Sequence, residues 1–330
     1  MTKISDVARA AGVSPSTVSR VLNQPDIVVA DKRDRVLAAI KELNYRPNPL
    51  ARNLRAGSPP TLALLVGDIL QPFHALFAKA IARAGEAKGY RLILHDLDHS
   101  QQRLVNFLRD VEPQEVHGVV LATADDMNIP EVRAALAETI DRGIAVVSTA
   151  QLLDGVPAAA VVADHRTVGF QATMHLAERG CRRIVLLAGA PRTYVSTLLA
   201  QGYADAFRKL GRPFEERAFI DGAYQIQRSR SALRAVLLDG EGAVGVVAAT
   251  LPNAIGAVQA AFDEGLDIPR EVAVVSCEDP PLAADYRPAL SAFAIDVDEA
   301  GRRALDAVEE FGGDSRQVHL LQQRLVRRDT

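Results

Sequence analysis

The sequence has few residues of the kinds that support disulfide, metal or membrane structures. It contains only two cysteines in 330 residues, Cys181 and Cys277, and they form no CxxC pair, which argues against a disulfide framework and a cysteine-based zinc site. Its apolar runs fall far short of the roughly 18 residues that a membrane span needs. The first 25 residues contain no apolar segment typical of a secretory signal. We therefore expect a cytoplasmic globular protein without a metal or a cofactor.

Charge is distributed unevenly along the chain. Residues 1–57 contain ten Lys and Arg against five Asp and Glu, whereas the remaining residues contain 28 against 36. A basic N-terminal segment on an acidic body predicts contact with nucleic acid through that segment, with a solvated basic segment as the alternative. The length of the chain predicts about two domains.

The basic segment has the pattern of two short helices joined by a tight turn. Ser5 can cap the first helix, and Gly12 can end it with positive φ. Ser14 can cap the second helix, whose first position Pro15 can occupy without losing a hydrogen bond. Such a pair is typical of a helix-turn-helix, in which the second helix presents its N-terminal end to the DNA major groove. A plain helical hairpin in a packed core is the alternative.

The next segments lead from this pair of helices to the body. A third helix is predicted over about Asp31–Asn44, and Arg46-Pro47 stops it. Residues 48–57 can form a short helix that is not stable alone, so it is either a linker or a helix that forms with a partner. Ser58-Pro59-Pro60 is a stiff, non-helical spacer and the predicted domain boundary.

From residue 61 onward, continuous apolar strands alternate with helices. This pattern indicates parallel sheets covered on both faces, here as two Rossmann-like lobes of about 100 residues each. The first set of predicted strands is Thr61–Gly67, Arg91–His95, Gly118–Ala122 and Ala145–Thr149, and the second set is Ala159–Asp164, Ile184–Ala188, Gly245–Ala249 and Val272–Ser276. The predicted helices are Phe73–Lys88, Gln101–Val111, Pro130–Arg142, Val168–Arg179, Leu198–Leu210, Ser229–Leu238 and Pro252–Glu264.

A specific set of short motifs occurs in the first 54 residues. They are Asp6-Val7-Ala8, Ala11-Gly12-Val13-Ser14, Thr17-Val18-Ser19-Arg20-Val21-Leu22-Asn23, Leu43-Asn44-Tyr45-Arg46-Pro47-Asn48, Ala51-Arg52 and Leu54. In these motifs, and more loosely to the C-terminus, the sequence resembles the lactose repressor (LacI) family of bacterial transcription regulators. One position departs from the family: Val29 stands where a Ser usually caps the third helix, so that Asp31 is the expected cap instead.

The resemblance implies how the N-terminal segment binds DNA. Pro15, Ser16 and Arg20 fall where such regulators read bases in the major groove, and the forked Arg20 suits a guanine edge or a phosphate. Leu54 falls where paired leucines of two hinge helices wedge into a central step of the minor groove and bend the operator. The expected DNA-binding residues are Ser5, Ser14, Pro15, Ser16, Thr17, Ser19, Arg20, Asn23, Tyr45, Asn48, Ala51, Arg52 and Leu54.

The resemblance also implies the domain organisation: an all-α helix-turn-helix domain at 1–47, a hinge helix and linker at 48–60, and an α/β body at 61–330. This body is periplasmic-binding-protein-like, binds the effector and dimerises, and closing or opening its cleft shifts the hinge helices. The chain is expected to cross between the lobes three times, with the strand near Ser291–Ile295 and its helix returning to the first lobe. The expected lobes are about 61–154 with 283–312, and about 155–282 with 313–330.

Ligands of such a body lie between the lobes, at the carboxyl ends of the strands. The residues there combine carboxylates and amides with aromatic rings, which suits a sugar-like molecule, although each can instead be a helix cap or a solvated loop residue. The candidate effector-binding residues are Asp68, Gln71, Phe73, His74, Gln151, Asp164, Thr193, Tyr194, Thr250, Asn253 and Glu278.

Four polar anchors of the sugar-binding members are changed together. Ala150-Gln151 replaces the usual Asp-Arg, Leu199 replaces an Arg, Thr250-Leu251 replaces Asn-Asp, and Glu278 replaces an Asp. A forked Arg makes bidentate, charge-assisted hydrogen bonds that a Leu cannot make. The resemblance therefore implies an effector of different shape or more apolar character, or none, with control by a protein partner or by expression level.

Two further patterns do not predict sites. Residues 240–245 spell GxGxxG but precede a strand, whereas a dinucleotide site needs that motif after one. His95 and His99 lie near Asp96 and Asp98, but a spacing of four at a strand end does not align side chains, so a solvated loop is preferred to a metal site.

Taken with the resemblance, these patterns predict a homodimeric regulator, a repressor, that binds a palindromic operator and responds to a sugar-like or related metabolite. We expect neither an enzyme nor a membrane partner. The alternatives are a member of the family that works without a ligand or with a protein co-regulator, and a solute-binding protein of transport.

Overall fold

The computed structural model describes residues 4–14, 17, 18, 20, 21, 29–42, 59–113, 115–189, 193–213, 218–238, 242–311 and 317–330. The chain divides into two compact units, the head (Met1–Pro59) and the body (Pro60–Thr330). Within the described residues, no helix is long and apolar enough to cross a membrane.

The described part of the head shares one small apolar core. Helix α1 spans Ile4–Ala11, helix α2 spans Ala30–Glu42, and residues 17, 18, 20 and 21 between them have helical backbone. The buried side chains of this core are Val7, Ala8, Ala11, Val18, Val21, Val36 and Ala39. Because they recur at helical spacing in all three segments, each segment contributes its apolar face to the same core.

Helix α2 begins one residue earlier than expected. Val29 occupies the capping position, since its carbonyl accepts the Arg33 N–H at 3.1 Å. Asp31 is therefore not the cap. It lies in the first turn, where a carboxylate interacts favourably with the positive end of the helix dipole, and it pairs with Arg35 at 3.6 Å.

In the body, the first sheet runs in the order β11-β5-β4-β3-β1-β2, and each strand is parallel to its neighbours. These strands are β1 (Thr61–Val66), β2 (Arg91–Asp96), β3 (Gly118–Ala122), β4 (Ala145–Ser148), β5 (Ala159–Ala163) and β11 (Val318–Leu321). Helices α3 (Pro72–Ala87), α4 (Gln101–Asp110) and α5 (Pro130–Asp141) connect the first four strands.

The second sheet runs in the order β12-β10-β9-β8-β6-β7, with β12 antiparallel to β10 and the other pairs parallel. Its strands are β6 (Arg183–Ala188), β7 (Phe219–Asp221), β8 (Val244–Ala248), β9 (Val272–Ser276), β10 (Ser291–Ile295) and β12 (Gln323–Val326). The helices around it are α6 (His165–Glu178), α7 (Tyr194–Lys209), α8 (Ile226–Leu238), α9 (Leu251–Asp263) and α10 (Leu282–Asp285).

Both faces of each sheet are covered by apolar clusters. In β1, Leu64 packs on one face together with Phe77, while Leu65 packs on the other together with Leu104. The second sheet likewise separates Val246 and Val247 into two clusters. This two-sided burial explains why the strands have continuous apolar sequences instead of alternating ones.

The chain crosses between the two sheets three times, each time within one residue. Residue 164 separates β5 from α6, residue 296 separates β10 from α11 (Val297–Glu309), and residue 322 separates β11 from β12. Helix α6 packs on α7 and β8, whereas α11 packs on α3. We call the first sheet with α3, α4, α5 and α11 lobe 1, and the second sheet with α6–α10 lobe 2.

Three strands lie in the opposite lobe to the one expected. One is β11 (Val318–Leu321), which pairs with β5 in lobe 1 although residues 313–330 were expected in lobe 2. Residues 159–163 pair with β4, through Val147 opposite Ala159, and so belong to lobe 1. The strand Ser291–Ile295 pairs with β9 and β12 and so belongs to lobe 2, whereas its helix α11 does return to lobe 1. Strand patterning identifies a buried strand but does not specify which open sheet edge it pairs with, and this is why the expected lobe boundaries were wrong here.

Candidate functional site

In the head, a tight turn leads from α1 to the helical segment that follows. Gly12 has φ of +62°, and the Val13 N–H donates to the Ala8 carbonyl at 3.0 Å. The Ser14 Oγ accepts the Thr17 N–H at 3.2 Å, which is the capping hydrogen bond of a helix N-terminus. Ser14 therefore starts the second helical segment, as expected from its position after the glycine.

Beyond this cap, buried and exposed side chains alternate at helical spacing. Val18 and Val21 are buried, Thr17 is half-buried and Arg20 is exposed. Arg20 is thus held outward by a segment whose inner side is anchored in the core. The other expected DNA-binding positions lie outside the described residues or, for Ser5, have an undescribed side chain, and they stay predictions: Pro15, Ser16, Ser19, Asn23, Tyr45, Asn48, Ala51, Arg52 and Leu54.

In the body, a cavity of about 100 Å³ lies between the two sheets and is lined by both lobes. Lobe 1 contributes Gln71, Phe73, His74, Phe77, His99, Ala124, Thr149, Ala150, Val161, Ala163, Ala300 and Leu321. Lobe 2 and the crossing segments contribute His165, Val195, Tyr224, Ala249, Thr250, Cys277, Glu278, Ile295 and Gln323. Most of this lining is apolar, and its polar groups are dominated by imidazole, amide and hydroxyl groups.

On the lobe 1 wall, His99 is held by an acidic partner. Its Nδ1 lies 3.0 Å from Asp125 Oδ1, and Thr123 Oγ1 donates to Asp125 Oδ2 at 2.6 Å. The hydrogen bond to Asp125 raises the pKa of His99, against the effect of burial. Burial raises the pKa of Asp125, but the hydrogen bonds from His99 and Thr123 outweigh it, so that this pKa is lowered. Gln71 Nε2 lies 3.4 Å from the other ring nitrogen of His99.

His74 lines the same wall as a neutral imidazole. Its Nδ1 lies 2.7 Å from the Asp68 carbonyl oxygen, which can only accept, so Nδ1 carries the hydrogen and Nε2 is left as an acceptor. Burial lowers the pKa of His74, which favours this neutral form. Beside it, the rings of Phe73 and Phe77 stack at 6.4 Å with an angle of 2°.

On the lobe 2 wall, Tyr224 is fixed by backbone conformation and by close packing. Ala223 and Tyr224 both have positive φ, +48° and +55°, which is uncommon for residues other than glycine. The ring lies against Gly189, where any Cβ would overlap it. The Tyr224 Oη is 3.1 Å from Thr193 Oγ1 and 3.2 Å from Ser196 Oγ. Burial raises the pKa of Tyr224, so the hydroxyl stays protonated and can donate.

Glu278 follows β9 and is the only acidic side chain in the described lining of the cavity. Its Oε2 accepts the Leu251 N–H at 3.2 Å, but burial is the stronger effect and raises the pKa of Glu278 to about 7. Close to it, Gln323 Nε2 donates to the Cys277 carbonyl at 3.2 Å. The Gln323 Oε1 is buried without a hydrogen-bond partner among the described residues, and is therefore an acceptor available to a ligand.

Five of the expected effector-binding residues line the cavity: Gln71, Phe73, His74, Thr250 and Glu278. The remaining six have other contacts. Asp164 and Thr193 cap α6 and α7. Asp68 accepts the Leu70 N–H at 2.8 Å.

The other three expected residues that do not line the cavity are Gln151, Asn253 and Tyr194. Gln151 is fully buried, and its Nε2 donates to the Asp125 carbonyl at 2.6 Å, so that it supports the loop that carries the partner of His99. Asn253 is fully buried and donates to Ser229 Oγ at 2.8 Å. Burial raises the pKa of the Tyr194 hydroxyl, and an interaction with the backbone of Leu152 in lobe 1 opposes this effect.

Sequence patterns did not identify six polar lining residues: His99, Thr149, His165, Tyr224, Cys277 and Gln323. Tyr224 and His99 lie in loops with positive φ, for which periodicity gives no signal. Gln323 reaches the cavity because β12 begins directly after the third crossing between the lobes. No strand was predicted there from the sequence.

Comparisons with known proteins agree with this architecture. The model of bacterial regulatory proteins, lacI family, matches residues 3–48, and that of the periplasmic binding protein-like domain matches residues 173–330. The HTH-type transcriptional regulator AscG of Escherichia coli (strain K12) is 29% identical over 341 residues, covering 100% of this chain and 98% of AscG.

Solved structures are also similar over the whole chain. The complex of the transcriptional regulator CelR with cellobiose is 27% identical with a TM-score of 0.69, covering 100% of this chain and 99% of that one. The lac repressor dimer bound to operator and the anti-inducer ONPF is 24% identical, covers 100% and 98%, and has the same fold with a TM-score of 0.82. This chain belongs to the lacI family of bacterial regulatory proteins and is a DNA-binding transcription regulator.

Proposed function

We propose that this regulator represses transcription as a homodimer on a palindromic operator and that a small molecule in the cavity between its lobes changes its affinity for DNA. The observation that carries this proposal is that both lobes line one cavity while the chain crosses between them three times, each within one residue. A ligand that contacts both walls binds one relative arrangement of the lobes better than others, and this differential affinity is what allosteric control requires.

The crossings are suited to a hinge. Asp164 and Asp296 each accept the N–H of the third residue of the following helix, Thr167 at 3.0 Å and Glu299 at 2.8 Å. These caps fix the helix starts, so a change in lobe angle is confined to the backbone dihedrals of the crossing residues themselves. We propose that such a change is transmitted through residues 48–60 to a DNA-binding domain at 1–47.

The lining supports an uncharged, amphipathic effector. The described lining contains no Lys or Arg, and its imidazole with a raised pKa, His99, is already paired with Asp125, so it offers no unpaired cation for a phosphate or carboxylate. Leu199, which replaces the arginine of sugar-binding members, is fully buried and packs against α6. Hydroxyl or N–H groups of a ligand would donate to His74 Nε2 and Gln323 Oε1, with Phe73 and Tyr224 against its apolar face. A sugar-like ring with apolar substituents meets these requirements.

We also propose that the protein has no enzymatic activity and acts in the cytoplasm, where its operator is. This follows from the relatives, which are described as transcription regulators, and not from a missing catalytic group. For DNA recognition, we propose that Arg20 reads a base and that Pro15 and Ser16 allow close approach to the major groove.

Arg20→Ala is expected to weaken operator binding about 30-fold, which corresponds to about 2 kcal/mol, because a forked guanidinium contact to a base is lost. The measurement is fluorescence anisotropy on operator and on scrambled DNA. Arg270→Ala, which removes an exposed arginine of the body, is the matched control and should change neither affinity. An equal loss on both DNAs would make Arg20 a phosphate contact instead.

Leu54→Ala is expected to reduce operator bending by more than half and specific affinity by about tenfold, because the wedge that unstacks the central step is removed. Energy transfer between dyes at the two DNA ends measures the bend. Leu70→Ala removes an exposed leucine from the body and should leave the bend intact. An unchanged bend in Leu54→Ala would exclude the wedge.

The proposed function is tested by selecting genomic DNA with the purified protein and then measuring affinity for the recovered site with a panel of metabolites. A palindrome whose affinity changes with one metabolite supports the proposal. No enriched palindrome would overturn sequence-specific binding. A palindrome that no metabolite affects would overturn the role of the cavity and favour a protein co-regulator.

A further inference from the structure

A second concave site lies in lobe 2, where β6 begins. It is a groove of about 510 Å³ between the first residues of β6 and the facing sides of α7 and α8. Because β6 ends at Ala188, next to the Gly189 on which Tyr224 packs, this groove and the cavity between the lobes lie at opposite ends of one strand. The lining residues are Arg182, Arg183, Ile184, Val185, Tyr203, Phe207, Arg212, Pro213, Ala218, Ala235 and Val236.

Three arginines line this groove, and no described Asp or Glu does. Arg183 Nη2 donates to the Val236 carbonyl at 2.7 Å, while its Nη1 is buried without a hydrogen-bond partner among the described residues. Arg212 Nη1 donates to the Cys181 carbonyl at 3.2 Å. Both guanidinium groups are thus held by backbone carbonyls, which fix their position without neutralising their charge.

Several other arginines of lobe 2 have carboxylate partners. Arg166 pairs with Asp205 at 2.6 Å and Arg234 with Glu264 at 2.6 Å. Among the described residues, the charged side chains that line the groove are therefore all positive, on a body that is acidic in total. A buried N–H without a partner is costly, and a bound anion is the simplest group that would satisfy it.

The rest of the groove is apolar and partly aromatic. The rings of Tyr203 and Phe207 stack at 4.6 Å, and Tyr203 Oη is fixed by donating to the Ile184 carbonyl at 2.6 Å. Val185 and Val236 complete the apolar lining. This combination fits a molecule that joins an anionic group to an apolar ring.

We propose that this groove binds a small molecule in which a phosphate is attached to an apolar ring, with the phosphate on Arg183 and Arg212 and the ring along Phe207. Guanidinium forks match phosphate oxygens in geometry as well as in charge. The site is separate from the cavity between the lobes, whose described lining has no arginine, and it does not depend on the function proposed for that cavity.

Titration calorimetry of the full-length protein with phenyl phosphate tests this site. We expect binding about tenfold tighter than that of inorganic phosphate, because the ring adds apolar contact, and no binding of benzyl alcohol. Arg183→Leu and Arg212→Leu should each weaken binding of phenyl phosphate about tenfold. Arg270→Leu, which removes the same charge from an exposed position, and Tyr224→Ala, in the other cavity, should leave it unchanged.

Three results would overturn the proposal: no heat of binding up to about 10 mM phenyl phosphate, equal weakening in Arg270→Leu, or loss of binding in Tyr224→Ala alone. Because Arg183→Leu also removes the hydrogen bond to Val236, Arg182→Leu, at an exposed groove position, is a second variant. It should leave the thermal stability unchanged and still weaken binding of phenyl phosphate, because it removes one of the three positive charges of the groove. Glu215 and Glu216 lie between two groove residues in sequence. If phenyl phosphate bound only to a variant in which Glu215 and Glu216 are both changed to Gln, the arginines would be ion-pair partners of these glutamates in the wild type. The proposal would then be wrong.

Discussion

Glu278→Gln is expected to remove a large pH dependence from the stability of the protein. The pKa of Glu278 is raised from 4.5 to about 7 by burial, so between these values the folded protein holds a proton that the unfolded chain releases. The stability contributed by this proton is fully present below pH 4.5 and is lost as the pH rises through 7. At pH 8, the variant should therefore be more stable than the wild type by up to ~3 kcal/mol.

Urea unfolding at pH 5 and pH 8 measures this effect. The buried histidines act in the opposite direction: burial lowers the pKa of His165 from 6.5 to about 4, so its contribution to stability rises with pH between these values. This change is the same in wild type and variant, and the difference between them isolates Glu278. Glu86→Gln, at an exposed position of α3, is the control. Equal pH profiles for wild type and Glu278→Gln would show that the carboxyl is ionised throughout.

Gly202→Val is expected to destabilise the body by about 3 kcal/mol, at the upper end of the usual cost of overpacking. A Cβ at Gly202 would overlap the Arg166 carbonyl oxygen and approach the Phe170 nitrogen to 2.7 Å. Both atoms belong to the backbone of α6, so no side chain can move aside and the two helices must separate. Gly169 makes the reciprocal approach, since its Cβ would overlap the Leu199 carbonyl oxygen.

Thermal and urea unfolding of Gly202→Val and of Gln201→Ala check this prediction. Gln201 is the exposed neighbour on the same helix, and its change should stay within about 0.5 kcal/mol of the wild type. Because α6 follows the first crossing directly, Gly202→Val should also disturb the hinge. A stability equal to that of the wild type would mean that α6 and α7 do not pack this closely in solution.

Sequence patterns located most strands of the body because the inner strands of both sheets are buried on both faces. The predicted Gly118–Ala122 and Val272–Ser276 have the observed bounds. Helix starts were less accurate: α6, α7 and α8 begin three or four residues before the predicted Val168, Leu198 and Ser229. The first turns of these helices contain residues such as His165 that do not contribute to a helical pattern of apolar side chains. Only the capping residues indicate where these helices start.

The cavity was only partly predictable, for a related reason. Residues directly after strands, such as Gln71 and Glu278, were found because the carboxyl ends of parallel strands share one edge of a sheet. Tyr224 could not be found in this way, because it reaches the cavity through two successive residues with positive φ and a ring packed on Gly189. The position of Gln323 in the cavity could not be predicted either, because it depends on which sheet β12 joins, and strand pairing between distant parts of the chain decides this.

The short strands β11 and β12 also determine the order in which the parts of this protein can be completed during synthesis. Each lobe takes one strand from residues 318–326, so neither sheet has all its strands until that segment has left the ribosome. The head is finished more than 250 residues earlier. Since domains fold from the N-terminus during translation, the head of a nascent chain is fully synthesised long before either lobe can be completed.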